Sequence, residues 1–114
     1  MAGSCDYKKT FSRGLATLGV LVTANYDVKN PERVGPHSPN EWYFTSASGH
    51  TDLVGLSANL RFDNSNTDCS FNSDSPELQV TSSGTLVTYL SIAEQEIASR
   101  DPVLLVSKFY AYNH

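Results

Sequence analysis

Two segments of this chain alternate apolar and polar residues with a period of two, and this pattern limits the folds that it can adopt. Residues 15–29 end in a clean alternation, in which Val20 and every second residue after it share one face and mostly polar residues share the other. Residues 51–63 repeat the pattern, with apolar side chains at every second position from Val54 to Phe62. This period, with β-branched residues, is typical of a strand with one buried and one open face. The two segments therefore predict strands of an antiparallel sheet.

Shorter segments complete the predicted sheet and its connections. Residues 41–47 are rich in aromatic side chains and residues 77–82 alternate, so both predict strands. Residues 30–40 contain three prolines and a glycine, which predicts a loop. Residues 48–50 predict a short turn, and residues 64–76 (NSNTDCSFNSDSP) predict a long polar loop, because nearly all of them are turn formers.

The C-terminal part changes period. Residues 86–97 place apolar side chains at helical spacing and include helix-favouring glutamates. Asp101 and Pro102 predict the start of a second helix, since aspartate accepts hydrogen bonds from first-turn amides and proline tolerates the first helical position. The expected fold is α+β, an antiparallel β-sheet followed by two C-terminal helices, in a single domain over residues 1–114.

Residues 103–112 (VLLVSKFYAY) are apolar almost all round. A helix of this composition needs burial on most of its sides, which is more than one small sheet supplies, so it indicates a partner subunit. A buried strand is the alternative, because a short apolar run fits either structure.

Charge and hydropathy exclude several classes of protein. The 114-residue chain has a net charge of −4, which argues mildly against a free nucleic-acid binder. The acidic excess lies entirely after residue 61, where seven Asp and Glu face two Lys and Arg. No apolar run approaches the length of a membrane span, so no membrane partner is expected. The N-terminus has no apolar segment of a signal peptide, which indicates either a cytoplasmic chain or one whose leader has been removed.

No pattern of catalytic or ligating residues stands out. The histidines lie in no recognisable metal-ligand spacing, and the aspartates around residues 64–76 lack the glycine and final glutamate of a calcium loop. No serine lies in a nucleophile elbow, and no glycine-rich loop could cradle a phosphate. We therefore expect no catalytic residues, no metal and no cofactor, and rank a small β-rich enzyme last.

The two cysteines, Cys5 and Cys69, allow three interpretations. They are free thiols in a reducing compartment, the halves of one intrachain disulfide in a secreted domain, or the source of a bridge between subunits through Cys69. Their spacing does not choose between these alternatives.

The polar face of the predicted sheet is either a solvated surface or a platform for single-stranded RNA. Short polar side chains can bond base edges and sugars, Arg and Lys can bind phosphates, and Tyr can stack on an unpaired base. Asp27, on the same face, opposes the second interpretation. The candidate RNA-binding residues are Thr23, Asn25, Lys29, Tyr43, Thr45, Ser57, Asn59, Arg61, Gln79 and Thr81.

The order of segments resembles the coat proteins of single-stranded RNA bacteriophages of the levivirus type. The resemblance lies in YKKTFSRGL leading into VLVTANYDV, in the turn-rich NSNTDCSFNSDSP, and in the tail YLSIAEQEIASRDPVLLVSKFYAYN. It covers most of the chain as a pattern and not as an invariant motif.

The resemblance implies a homodimer whose helices interlock over the partner's sheet, further self-assembly into an icosahedral shell, and RNA bound on the inner sheet face. It implies a virion assembled in the bacterial cytoplasm. The alternative is a secreted β-rich recognition or effector module with one disulfide. The residues expected at the dimer interface are Leu86, Leu90, Ile97, Val103, Leu105, Val106 and Phe109.

Overall fold

The computed structural model describes residues 2–33, 35–55, 59–92 and 95–113. These residues form six antiparallel strands in two three-stranded sheets, the first in the order β1-β2-β3 and the second in the order β4-β5-β6. The strands are β1 (Gly3–Arg13), β2 (Ala16–Val28), β3 (Trp42–Leu53), β4 (Leu60–Phe71), β5 (Glu77–Ile92) and β6 (Gln95–Tyr110), with a short 3-10 helix (Pro39–Glu41) before β3.

The two sheets pack face to face, with β1 over β6 and β3 over β4. On one side the Tyr7 ring stacks on Phe109 with ring centres 4.8 Å apart. On the other side the hydroxyl oxygens of Thr51 and Thr67 lie 2.9 Å apart. Removing apolar surface from water between the sheets is the main stabilising contribution. The shared core includes Leu18, Val20, Val22, Phe44, Leu78, Val80, Leu86, Val103 and Leu105.

The prediction of two C-terminal helices is wrong, and the fold is all-β, not α+β. Residues 103–106 alternate as a strand: Val103 and Leu105 are buried, whereas Leu104 and Val106 are exposed. The apolar run therefore divides between two faces, and only one of them is buried within the chain. Pro102 does not begin a helix but lies on an edge strand, where its missing amide hydrogen breaks no bond to β5.

The first predicted helix is also part of a strand pair. Residues 86–92 belong to β5 and residues 95–97 to β6, whereas residues 93–94 lie outside the described residues. Leu90 pairs across the two strands with Ile97. Apolar residues at helical spacing in a β-prone sequence such as TLVTYL fit a strand once a neighbouring strand supplies the hydrogen bonds. Among the described residues there is no helix with the length and hydropathy that a membrane span requires.

Two predicted loops and one predicted strand are corrected as well. β3 runs straight through residues 48–50, and β4 extends to Phe71 through most of the predicted loop 64–76. Because β4 is an edge strand, its Ser, Asn and Asp side chains can point to water while Thr67 faces β3. The predicted strand 51–63 instead spans the connection between the sheets, of which residues 56–58 lie outside the described residues.

Other predictions are confirmed. The alternation from Val20 to Val28 lies in β2, with its apolar face buried and Thr23 and Asn25 exposed. Residues 41–47 and 77–82 fall almost entirely within β3 and β5. Residues 3–13, for which no element was predicted, form β1 and pair with β2 through a hairpin.

The molecule is a narrow rod of 70 × 21 × 16 Å, with a radius of gyration of 18.4 Å against about 13 Å for a compact domain of 100 residues. The length arises mainly because β5 and β6 have 16 residues each, which span about 53 Å at the rise of a strand. A rod has more surface per residue than a sphere, so more of its apolar side chains remain exposed.

Candidate assembly and binding surfaces

The predicted RNA-binding residues are divided between two opposite faces. Thr23, Asn25 and Thr45 are exposed on the first sheet, whereas Arg61 and Gln79 are exposed on the second. Because the sheets pack face to face, their outer faces point in opposite directions. The structure thus forms no single platform from the described members of the set. Of the others, Tyr43 is half-buried on β3, Lys29 is half-buried beyond the end of β2, Thr81 is half-buried on β5, Asn59 is exposed just before β4, and Ser57 lies outside the described residues.

The outer face of the first sheet, called the first outer face below, is polar and internally hydrogen-bonded. Thr23 Oγ1 donates to Asp6 Oδ1 at 3.0 Å, and Asn25 Nδ2 donates to Ser46 Oγ at 2.7 Å. A shallow cleft of about 370 Å³ opens beside Asp6 and Thr23. These cross-strand bonds satisfy the hydrogen-bonding groups of the short side chains without a ligand. The negative charge of Asp6 would repel an anionic ligand such as a phosphate.

The outer face of the second sheet, called the second outer face, carries one arginine on each of its two edge strands. Arg61 and Arg100 lie opposite Val87 on its two sides, and Val87 is fully buried. The Arg61 guanidinium lies 5.2 Å from the centre of the Tyr89 ring, and Arg61 Nε donates to Asp63 Oδ1 at 2.6 Å. The Asp63 hydrogen bond raises the pKa of Arg61 further above its usual value. This face thus carries two arginines on either side of β5, with the Tyr89 ring beside the Arg61 guanidinium.

An apolar surface lies along β6. Leu104 and Val106 are 66% and 50% exposed on the second outer face. We call this pair the edge surface, because β6 has a strand neighbour on one side only.

Another apolar surface lies at the end of the rod. Leu15, at the turn between β1 and β2, is 97% exposed, and Val54, Leu90 and Ile97 are about half exposed. Two clefts of about 290 and 310 Å³ adjoin Leu15. We call these four residues the end surface.

The predicted dimer-interface residues divide into a buried group and an exposed group. Leu86, Val103 and Leu105 are buried in the core of the chain itself, and Phe109 is half-buried against Tyr7. These four are therefore not available to a partner. Three members of the set remain exposed: Leu90, Ile97 and Val106.

The two cysteines are free thiols and are not paired within the chain. Cys5 lies on β1, on the side of the sandwich that β6 covers, and Cys69 lies on β4, on the side that β3 covers. Both pack against the core. Burial, followed by the charge of Asp68, raises the pKa of the Cys69 thiol and so disfavours its reactive thiolate.

The loop that leads into β3 is organised around a carboxylate that the sequence did not single out. Glu41 is nearly buried, accepts from Ser38 Oγ at 3.1 Å, lies 2.7 Å from His37 Nδ1 and pairs with Arg33. The hydrogen bond from His37 is the main cause of the lowered pKa of Glu41. In the sequence, the spacing of four residues between His37 and Glu41 could have indicated this pair. The cluster connects Glu41 to its own loop, which fits a structural role.

In the part of the chain that the structure describes, no three His, Cys, Asp or Glu side chains are grouped so that they could hold a metal ion. The surfaces that remain open are the two outer faces, the edge surface and the end surface.

Comparisons with known proteins identify no relative. No protein-family model matches the chain, and searches of curated proteins and of solved structures returned no match.

Proposed function

We propose that this chain is a non-catalytic structural subunit that assembles with copies of itself. Two separate apolar surfaces, the edge surface and the end surface, lie on one small rod, and their presence supports this proposal. Contiguous exposed apolar residues on a small protein mark interaction sites. Fully burying a Leu or Val side chain stabilises a contact by about 1.5–3 kcal/mol.

The separation of the surfaces favours assembly beyond a dimer. Ile97 of the end surface and Leu104 of the edge surface are seven positions apart on β6, which is about 23 Å at the rise of a strand. A two-fold contact through one surface therefore leaves the other free for a different contact. Such a subunit could build an extended assembly, of which a shell is one form.

The proposal does not depend on a coat-protein fold. The helices that would interlock over a partner's sheet in a levivirus-type coat protein are replaced by strands. Self-assembly is therefore proposed from the exposed surfaces alone.

Light scattering after size exclusion, followed by negative-stain electron microscopy, tests the proposal. We expect species larger than the monomer whose population grows with protein concentration. Ile97→Lys should reduce the largest species, because it places a charge within the end surface. A chain that stays monomeric at every accessible concentration would contradict the proposal.

We propose RNA binding as a second function, and the second outer face is the better supported location. Arg61, Arg100 and Tyr89 offer two phosphate-binding groups and a ring for stacking. Each face carries an aspartate, Asp6 on the first and Asp63 on the second, so the aspartates do not distinguish them. The described part of the first outer face lacks a comparable cluster of arginines and an aromatic ring.

Nucleic acid that copurifies with the protein tests this second function. Arg61→Ala should lower the ratio of absorbance at 260 nm to that at 280 nm and weaken the salt dependence of RNA binding. Asn25→Ala, on the opposite face, is the matched control and should change neither. Equal RNA content in wild type and Arg61→Ala would argue against binding at this face.

A further inference from the structure

Backbone hydrogen bonds determine which groups of β6 face its open edge. The Ala111 amide donates to the Pro76 carbonyl at 2.9 Å, which continues the register of β5 and β6. In an antiparallel ladder, residues face the neighbouring strand and the opposite side alternately. Odd-numbered residues of β6 therefore face β5, and even-numbered residues present their amides and carbonyls to the open edge.

Two residues bound the usable part of this edge. Pro102 is even-numbered and has no amide hydrogen, so it offers only a carbonyl. At the other end, the outward carbonyl of Tyr110 already accepts the hydroxyl of Tyr7 at 2.7 Å. Burial raises the pKa of Tyr7, so this hydroxyl stays protonated and remains a donor. Between these limits, three residues offer both groups: Leu104, Val106 and Lys108.

We propose that two copies of the chain pair antiparallel through β6, with the two-fold axis at Val106. This inference rests on the proposed self-assembly and names the contact that begins it. Val106 lies opposite Val106 of the other copy, and Leu104 lies opposite Lys108. Each of these pairs exchanges both backbone hydrogen bonds, and the two second sheets join into one six-stranded sheet.

The chain is complementary to itself in this register. Pro102 of one copy lies opposite Tyr110 of the other, so the absent amide hydrogen falls beside the one outward carbonyl that Tyr7 has already satisfied. On the outer face, the exposed Leu104 side chain packs against the aliphatic stem of Lys108. A peptide of unrelated sequence would not provide this match of missing donor and occupied acceptor, which favours a second copy as the partner.

Neighbouring registers are less favourable. An axis at Leu104 places Arg100 opposite Lys108, and like charges directly opposite each other destabilise a strand pair. An axis at Leu105 places Pro102 opposite Lys108, whose outward carbonyl then has no donor. An axis at Ser107 places the Leu104 amide opposite the occupied carbonyl of Tyr110.

Cysteine cross-linking in a Cys5→Ala, Cys69→Ala background tests the register. Facing residues of a hydrogen-bonded antiparallel pair have Cα atoms about 5.5 Å apart, within the range of a disulfide. Val106→Cys should form a disulfide-linked dimer on mild oxidation. Leu104→Cys, which faces Lys108, is the matched control and should remain largely unlinked. Efficient linking of Leu104→Cys without linking of Val106→Cys would overturn the register.

A charge substitution separates this inference from the proposed function. Val106→Lys places two ammonium groups opposite each other and should raise the dimer dissociation constant at least tenfold, with an unchanged circular dichroism spectrum. Leu21→Lys, at a similarly exposed aliphatic residue on the central strand of the first sheet, should leave it unchanged. If the wild type assembles but neither Val106 variant behaves as expected, the β6 contact is wrong while self-assembly stands. A wild type that never assembles contradicts both.

Discussion

β2 of the first sheet and β6 of the second both alternate between two faces, but they differ in how apolar the outward face is. In β2, at the centre of the first sheet, the inward positions are apolar and most outward positions are polar, so the strand is complete within the monomer. In β6, at the edge of the second sheet, both faces are apolar around Leu104 and Leu105, and the monomer buries only one of them. The composition of a strand's second face therefore determines whether the strand needs a partner.

The two faces of β6 give the largest expected difference. Leu105→Ala removes a buried side chain and should lower the free energy of unfolding of the monomer by about 2–5 kcal/mol. Leu104→Ala, one residue away, should change it by less than about 0.5 kcal/mol, because its side chain is exposed. Urea denaturation at low protein concentration measures both. Similar losses from the two substitutions would contradict the assignment of faces.

The central strands of the two sheets differ in how closely a neighbour approaches a glycine. A Cβ atom at Gly84 in β5 would lie 2.4 Å from the Phe62 ring, so Gly84→Ala should destabilise the monomer by about 1–3 kcal/mol. At Gly19 in β2 the nearest atom is a methyl group of Val54 at 3.0 Å, and this exposed side chain can move. Thermal unfolding should therefore show a smaller loss for Gly19→Ala; an equal or larger loss would mean that Phe62 does not limit the site.

The polar contact between the sheets should matter more than polar contacts on their surfaces. Thr51 Oγ1 donates to Ser82 Oγ at 2.8 Å in the core and also contacts Thr67. Thr51→Val leaves buried hydroxyl groups with fewer partners and should cost about 1–3 kcal/mol of unfolding free energy. Thr23→Val, which breaks an exposed bond to Asp6, is the control and should cost less than about 0.5 kcal/mol. Chemical denaturation that ranks the two variants in the opposite order would refute this view.

The smallest expected effect is in the loop before β3, which belongs to the first sheet only. The pKa of Glu41 is lowered below its ordinary 4.5 by the hydrogen bond from His37, so its ionised form stabilises the folded state. This contribution is present above the unfolded pKa and is lost as the pH falls through the lower folded pKa. Wild type should therefore exceed Glu41→Gln in melting temperature at pH 7, and the difference should shrink below about pH 4.5. A difference that grows on acidification would reverse the sign of this linkage.

The sequence correctly predicted those elements whose signals are local. The β2 alternation and the prolines of residues 30–40 act within a few residues, and both predictions agree with the structure. The predicted loop 64–76 failed because Ser, Asn and Asp are turn formers only on average. On an edge strand they can point to water, while Thr67 faces the opposite sheet.

The candidate surfaces were predicted only in part. Leu90, Ile97 and Val106 were predicted at an interface and are exposed, but they lie on strands and not on the two helices that the prediction assumed. Leu15, Leu104 and Val54 were missed, because nothing in the local pattern distinguishes an exposed leucine from a buried one. Leu15 is exposed because it lies at the turn between β1 and β2, and Leu104 because it lies on the edge strand β6. Val54 is exposed because it lies in the connection between the two sheets.

The sequence by itself determined that this chain forms an antiparallel sheet with a polar outer face, since period two expresses the geometry of a strand whatever surrounds it. Only the tertiary structure decided that residues 86–92 and 95–110 are strands. Their apolar spacing fits a helix or a strand, and a helix forms its own hydrogen bonds whereas a strand needs a neighbour. The long ladder from Glu77 paired with Tyr110 to Ile92 paired with Gln95 supplies that neighbour, and it leaves the outward half of β6 without one.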